Sequence, residues 1–279
     1  MSLVKALLRH PSGRIGGCII LVFLVAAILG QLGLTPHDPL KQMRLDRLKP
    51  PSFTYVMGTD LFGRDVASRL MLAIGQSFIV GFLAVGIAAT LGTVLGLTAA
   101  WFGRLWDGVV MRSMDVLLAF PAILLALLII AVAGPGTWTS VTAIAIVYTP
   151  IFTRVVRGPA LSIKTREFVD AARTFGSSRR YILTRHLMLN LVAPLTVQVT
   201  LALAWSLLTE AGLSFLGLGT QPPAASLGLM LADARNLMEM APWLLIFPGL
   251  TIMIGILGFN LTGDALRDIL DPKTRRAMA

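Results

Sequence analysis

Five stretches of this sequence, residues 15–34, 76–103, 116–152, 187–209 and 240–263, contain no Asp, Glu, Lys or Arg. A hydrocarbon core about 30 Å thick takes about 20 apolar residues of helix to cross, so each run is long enough to span a bilayer. The 116–152 run is long enough for two helices, and Gly134-Pro135-Gly136 breaks it, which predicts spans near 116–133 and 141–156. Six transmembrane helices in an all-α membrane protein are the expected fold. In lipid every backbone amide must be satisfied without water, and helices achieve this within each segment. Pro121, Pro150, Pro194 and Pro248 fall within or beside these spans, where neighbouring helices can satisfy the carbonyls they free. Gly92 and Gly96 place two small residues on one helix face, a pattern suited to close packing. Lys5, Arg9 and Arg14 precede the first run as in a secretory leader. Its length, and the lack of a small-x-small site after it, predict a retained helix instead.

Composition excludes the soluble alternatives. Hydrophobic residues make up 56% of the 279 and charged residues 14%, against roughly 25% charged in soluble domains. The lone Cys18 cannot form a disulfide within its own chain. A net charge of +10 would point to nucleic acid in a soluble protein; in a membrane protein it points to orientation. With the N-terminus inside, seventeen of the 24 Lys and Arg fall on the inner side and seven on the outer. Both termini and the 154–190 segment are therefore expected in the cytoplasm. Six of the outer seven crowd the 35–74 connection beside Asp38, Asp46, Asp60 and Asp65, for no reason visible in the sequence.

Eight of the inner basic residues lie between Arg154 and Arg185, around one short helical pattern. In residues 167–176, Thr165 is a candidate N-cap, Glu167 and Asp170 supply first-turn acids, and Gly176 is the stop. Phe168, Ala171, Ala172 and Phe175 recur at i, i+3, i+4 and i+7 and so share one face. Two phenylalanines flanking alanines make that face knobbed but shallow at its centre, a shape that lets another protein approach the helix backbone. An amphipathic helix lying on anionic lipid fits the same arginines equally well.

Glu167-Phe168-Val169-Asp170-Ala171-Ala172, followed by Gly176, Ser178, Ile182, His186 and Asn190, resembles the cytoplasmic EAA loop of ABC importer permeases. That loop is the coupling helix that docks on the ATPase subunit. Asp170 stands where the family usually has Glu, and Leu189 where it usually has Pro. Residues 58–69 (Gly-Thr-Asp-Leu-Phe-Gly-Arg-Asp-Val-Ala-Ser-Arg) are similar to the segment before the second span of the C-type permeases of dipeptide, oligopeptide and nickel importers. Leu213-Ser214-Phe215-Leu216-Gly217-Leu218-Gly219 with Pro222, Pro223 and Gly228 resembles that subfamily's fifth-span exit. Phe259-Asn260, Gly263-Asp264, Leu266-Arg267-Asp268 and Leu270-Asp271-Pro272 resemble its C-terminal end.

The resemblance implies the type I ABC importer permease fold in a bacterial or archaeal plasma membrane. A cytoplasmic N-terminus (1–14), a first helix (15–34) and an extracytoplasmic connection (35–74) would precede a five-helix permease domain (75–264). That domain would contain the coupling loop 157–190, and a cytoplasmic tail (265–279) would follow it. It further implies a B-type permease partner, two ATPase subunits and an extracytoplasmic binding protein. The implied coupling residues are Glu167, Phe168, Asp170, Ala171, Ala172, Phe175 and Gly176. The chain carries no Gly-x-x-x-x-Gly-Lys-Ser/Thr loop, so no cofactor is expected on it, and ATP and Mg would belong to the partner ATPases.

Polar residues inside spans are candidates for a translocation path, because a charge in hydrocarbon tends to face a cavity. Glu210 leads, with Gln198 and Tyr148 beside it; Glu210 also suits a structural role near the Gly212 break. Asp115 is expected to pair with Arg112 at i,i+3; Gln198, Tyr148 and Asn260 could line the path or bond between helices. His10, His37 and His186 are scattered and no nucleophile–base pair is evident, which disfavours a metal centre or an enzyme. Two rival classes are a secondary transporter, for which internal repeats are not seen and the EAA-like loop would go unexplained, and a membrane scaffold, which would need the loop for docking but no path. Di- or oligopeptide is the expected substrate class, with nickel or glutathione and other small conjugates as alternatives.

Overall fold

The computed structural model describes residues 3–270, so Asp271, Pro272 and most of the 265–279 tail lie outside the described residues. A short helix α1 (Leu3–Arg9) leads into α2 (Pro11–Gln31), which opens on a proline whose fixed φ suits a first turn that needs no amide donor. The helix α3 (Val66–Phe102) begins ten residues before the charge-free run. Asp65 caps it, accepting 2.9 Å from Ser68 N and 2.6 Å from Ser68 Oγ. Next come α4 (Arg104–Leu118), α5 (Ala122–Ala133), α6 (Thr137–Lys164), α7 (Glu167–Thr174) and the single turn α8 (Arg179–Tyr181). A π-helical turn, Ile182–Leu187, joins α8 to α9 (Met188–Phe215), and α10 (Leu227–Ala234) and α11 (Trp243–Leu270) complete the described residues.

Five of these helices are individually long and apolar enough to cross a membrane, and the bent pair α4–α5 makes a sixth crossing. The span expected near 116–133 is broken at Pro121 and begins earlier, with α4 and α5 meeting at 92°. Pro121 has no N–H and restricts Phe120 before it, so the helix stops at Ala119 and restarts beyond the proline. Alone, the twelve residues of α5 reach only about 18 Å.

The crossings alternate in direction. At one end, Lys164 at the tip of α6 donates to the last carbonyls of α3, and His10 Nε2 lies 3.5 Å from Asp268 Oδ2 near the end of α11. At the other, Gln76 of α3 donates to Thr137 at the start of α6 (3.3 Å), and Trp243 of α11 donates to Thr59 O (3.2 Å). The N-terminal helix, α7 and the end of α11 thus share one end of the bundle.

Close helix contact depends on missing side chains. A Cβ on Gly92 would stand 2.4 Å from Phe152 Cβ, and one on Gly96 2.7 Å from Thr153 O, so the small face of α3 is where α6 crosses it. A Cβ on Gly16 would meet Gly258 O of α11 at 2.7 Å. Phe23, Phe78 and Phe259 then join α2, α3 and α11, with ring centroids 6.2 Å and 5.6 Å from Phe78.

Four of the six basic residues in the 35–74 stretch have partners there. Arg47 Nε donates to Leu61 O at 2.7 Å, Lys49 bonds Asp46, and Arg64 Nε lies 2.6 Å and Arg69 Nε 3.6 Å from Asp60 Oδ2. Tyr55 donates to Asp46 at 2.8 Å. The Lys49 ammonium, and then the Tyr55 hydroxyl, hold the Asp46 carboxyl below its ordinary 3.8. The same bond pushes the Tyr55 phenol above 10.0.

Candidate functional site

Helix α7 is pinned to the bundle by one side. Val169 is fully buried and Ala172 half-buried, whereas Phe168 is 40% and Phe175 89% exposed and Ala171 is open. Among the described residues the face carrying the two phenylalanines is largely uncovered, His186 alone touching Phe168 by its ring. Its end is a Schellman turn: Ser177 N donates to Ala172 O at 3.0 Å and Gly176 N to Arg173 O at 2.9 Å. Gly176 holds φ +76°, the left-handed region a C′ residue needs. The expected N-cap is different, however. Arg166 occupies that position without a side-chain bond, and Thr165 Oγ1 donates back to Ser162 O at 3.0 Å, closing α6. Two residues separate the helices, too few for Thr165 to serve the second.

Beneath α7, the His186 ring lies between Phe168 and Tyr181, with centroids 5.8 Å and 5.6 Å away, and Ser178 caps the following turn. Two ion pairs then bind α4 to α6. Arg157 forms a two-pronged pair with Asp107, and Arg154 Nη2 lies 2.6 Å from Asp115 Oδ1. Asp115 is thus paired across helices rather than with Arg112 as expected, because the α4–α5 bend lays α4 beside α6. Neither pairing is visible at separations of 39 and 50 residues.

The three polar candidates of the spans have different surroundings. Glu210 is 0% exposed, with Ser77 Oγ 2.7 Å from Oε2 and Ser214 Oγ 2.7 Å from Oε1. Tyr148 is buried, its hydroxyl 3.1 Å from Thr209 Oγ1. Gln198 borders a cleft of about 370 Å³ shared with Val155, Pro194 and Arg267. The cleft also takes in Leu270, which lies with Arg267 in the last turn of α11, so Gln198 lies toward that end of the bundle.

Residues 92–276 match the family described as binding-protein-dependent transport system inner membrane component. The chain belongs to this family. The permease is 42% identical over 97% of its length to the dipeptide transport system permease protein DppC of Alkalihalophilus pseudofirmus, covering 89% of that protein. It is 39% identical to the di/tripeptide permease DppC of Pseudomonas aeruginosa over 96% of the chain and 90% of that relative. To the glutathione transport system permease protein GsiD of Escherichia coli it is 41% identical, over 96% of the chain and 88% of that relative. In fold the permease is similar to a chain of the MetNI methionine ABC transporter in an inward-facing conformation. The TM-score is 0.51 at 17% identity, covering 71% of this chain and 94% of that one. The permease is an inner-membrane component, and α7, Gln198 and Glu210 all lie within the matched 92–276.

Proposed function

We propose that the permease forms half of the path of an ATP-driven peptide importer. A B-type permease completes the path, two ATPase subunits dock on the loops that include α7, and an extracytoplasmic binding protein delivers the substrate. The observation that carries this reading is the uncovered α7 face. Phe168 and Phe175 stand exposed on a helix whose opposite side is anchored by buried Val169 and whose end is set by Gly176. A short helix held this way presents a rigid knobbed surface at the end where most of the basic residues collect, the end assigned to the cytoplasm. Glu167, Asp170, Ala171 and Ala172 complete the dock. The chain supplies no phosphate loop, so ATP and Mg bind to the partners. Closure of the ATPase pair would move α7 and switch the bundle between inward- and outward-open states, a two-state element biased from a remote site.

Glu210 and Tyr148 act in this scheme as structural ties, and Gln198 is the candidate path residue. The substrate class is di- and oligopeptides. A glutathione importer is the second reading, favoured by a relative of that function at 41% identity. Uptake of labelled dipeptide, glutathione and nickel by proteoliposomes carrying the partner subunits, with and without this chain, tests the proposal. ATP-dependent dipeptide uptake that vanishes when the chain is omitted is the expected result; uptake undiminished by its omission would refute a permease role.

A further inference from the structure

A docking helix delivers its displacement only to what it is fastened to. Besides the buried Val169, the half-buried Ala172 and the Phe168–His186 contact, α7 reaches the bundle through Arg173, whose guanidinium lies 5.2 Å from the centroid of the Trp101 ring. Trp101 sits in the last turn of α3, two residues before Gly103, whose φ of +66° ends that helix. The same residue is held from a second helix. Lys164, at the tip of α6, donates to Trp101 O at 2.7 Å and Ala100 O at 2.9 Å, and its ammonium stands 5.8 Å from the ring. Cations over an indole gain from the ring's negative face, and a cation on the last carbonyls of a helix meets the negative end of its dipole. Arg173 is itself oriented by a 3.1 Å bond to Asp170 Oδ1. Three helices therefore meet at one indole.

The helix so gripped is the one that matters for transmission. Along its length α3 packs tightly against α6 at Gly92 and Gly96 and bonds Glu210 of α9 through Ser77. We propose that Trp101 is a positioning residue that fastens α7 to the end of α3. Movement of α7 is then carried into the bundle rather than absorbed by the connections on either side of it. The inference rests on α7 being the ATPase dock.

The test uses the reconstituted importer with all partner subunits, with dipeptide uptake and ATP hydrolysis measured on the same vesicles. Trp101→Leu keeps apolar bulk but removes the ring, Trp101→Phe keeps a ring, and Arg173→Gln removes the cation from an exposed side chain. The expected result is that Trp101→Leu and Arg173→Gln retain the ATPases and their hydrolysis while uptake per ATP falls about threefold or more, with Trp101→Phe in between. An unchanged ratio in both Trp101→Leu and Arg173→Gln overturns the proposal. Should Trp101→Leu fail to insert, Arg173→Gln decides alone. Ala172→Arg, on the dock itself, separates the two levels: if it keeps the ATPases and full uptake, the docking reading fails, whatever happens at Trp101.

Discussion

The Ser77 hydroxyl donates a 2.7 Å hydrogen bond to Oε2 of Glu210, joining α3 to α9 across 133 residues of sequence. Ser214 satisfies the other oxygen one turn further along α9, and its own hydroxyl accepts from Thr220 N at 3.2 Å, so the exit of the helix is tied to the same carboxyl. A buried polar group left without its partner costs about 1–3 kcal/mol.

Glu210→Ala is expected to destabilise the permease by at least that amount, because two buried serines lose their acceptor at once. Glu210→Gln keeps the shape and an acceptor, and should retain uptake and substrate range. Thermal stability in detergent together with dipeptide uptake checks this. A Glu210→Gln protein of normal stability that cannot transport would return the residue to the path.

Packing at the α3–α6 crossing leaves no room at Gly92. Gly92→Leu should cost about 1–3 kcal/mol or prevent assembly, since overpacking forces backbone shifts. Gly86 is the control: a Cβ there meets nothing within 4 Å, so Gly86→Ala should leave the melting temperature of the isolated chain unchanged or slightly raised. Equal sensitivity at both positions would count against the crossing.

The Arg157–Asp107 pair binds α4 to α6, and both side chains are largely shielded, 28% and 20% exposed. Removing either partner alone should destabilise by roughly 1–3 kcal/mol, and the double variant Arg157→Met with Asp107→Leu should recover part of the loss. A melting-temperature cycle measures the coupling, and strict additivity of the two single changes would show that the pair does not hold the helices together.

Acid should loosen the segment between α2 and α3 before the bundle responds. The Asp46 carboxyl is held below 3.8, so the stability it contributes is present above that ordinary value and lost as pH falls through its lower folded value. Tyr55 has the opposite sign, its contribution being complete below 10.0 and lost as pH rises past that. Hydrogen exchange of residues 46–59, corrected for intrinsic rates, is expected to be flat from about pH 5 to 8 and to accelerate below about 3.8. Asp46→Asn should remove that acid limb.

Much of the candidate site is legible in short-range pattern. The i, i+3, i+4, i+7 spacing of Phe168, Ala171, Ala172 and Phe175 predicts one face, and those side chains do share the uncovered side apart from the half-buried Ala172. Gly176 predicts the stop, and a Schellman turn stands there. Thr165 misleads because a cap residue serves whichever helix end it can reach, and the end of α6 is nearer. Asp115 misleads for a related reason: i,i+3 geometry offers Arg112, but Arg154 of another helix competes and wins.

Sequence alone determines that this chain crosses a membrane as helices, since runs without charge cannot rest in water and backbone amides in lipid cannot go unpaired. It also determines where α7 begins and ends to within a residue or two, because capping and periodicity are local chemistry. Tertiary structure decides how far α4 and α5 bend, 92°, that Glu210 meets Ser77 of another helix, and that Arg47 and Arg69 are taken up by Leu61 O and Asp60. The Ser77–Glu210 bond and the α4–α6 ion pairs depend on groups 39 to 133 residues apart being brought within about 3 Å. Hydropathy cannot carry that information, because a buried ion pair and an exposed one read the same along the chain.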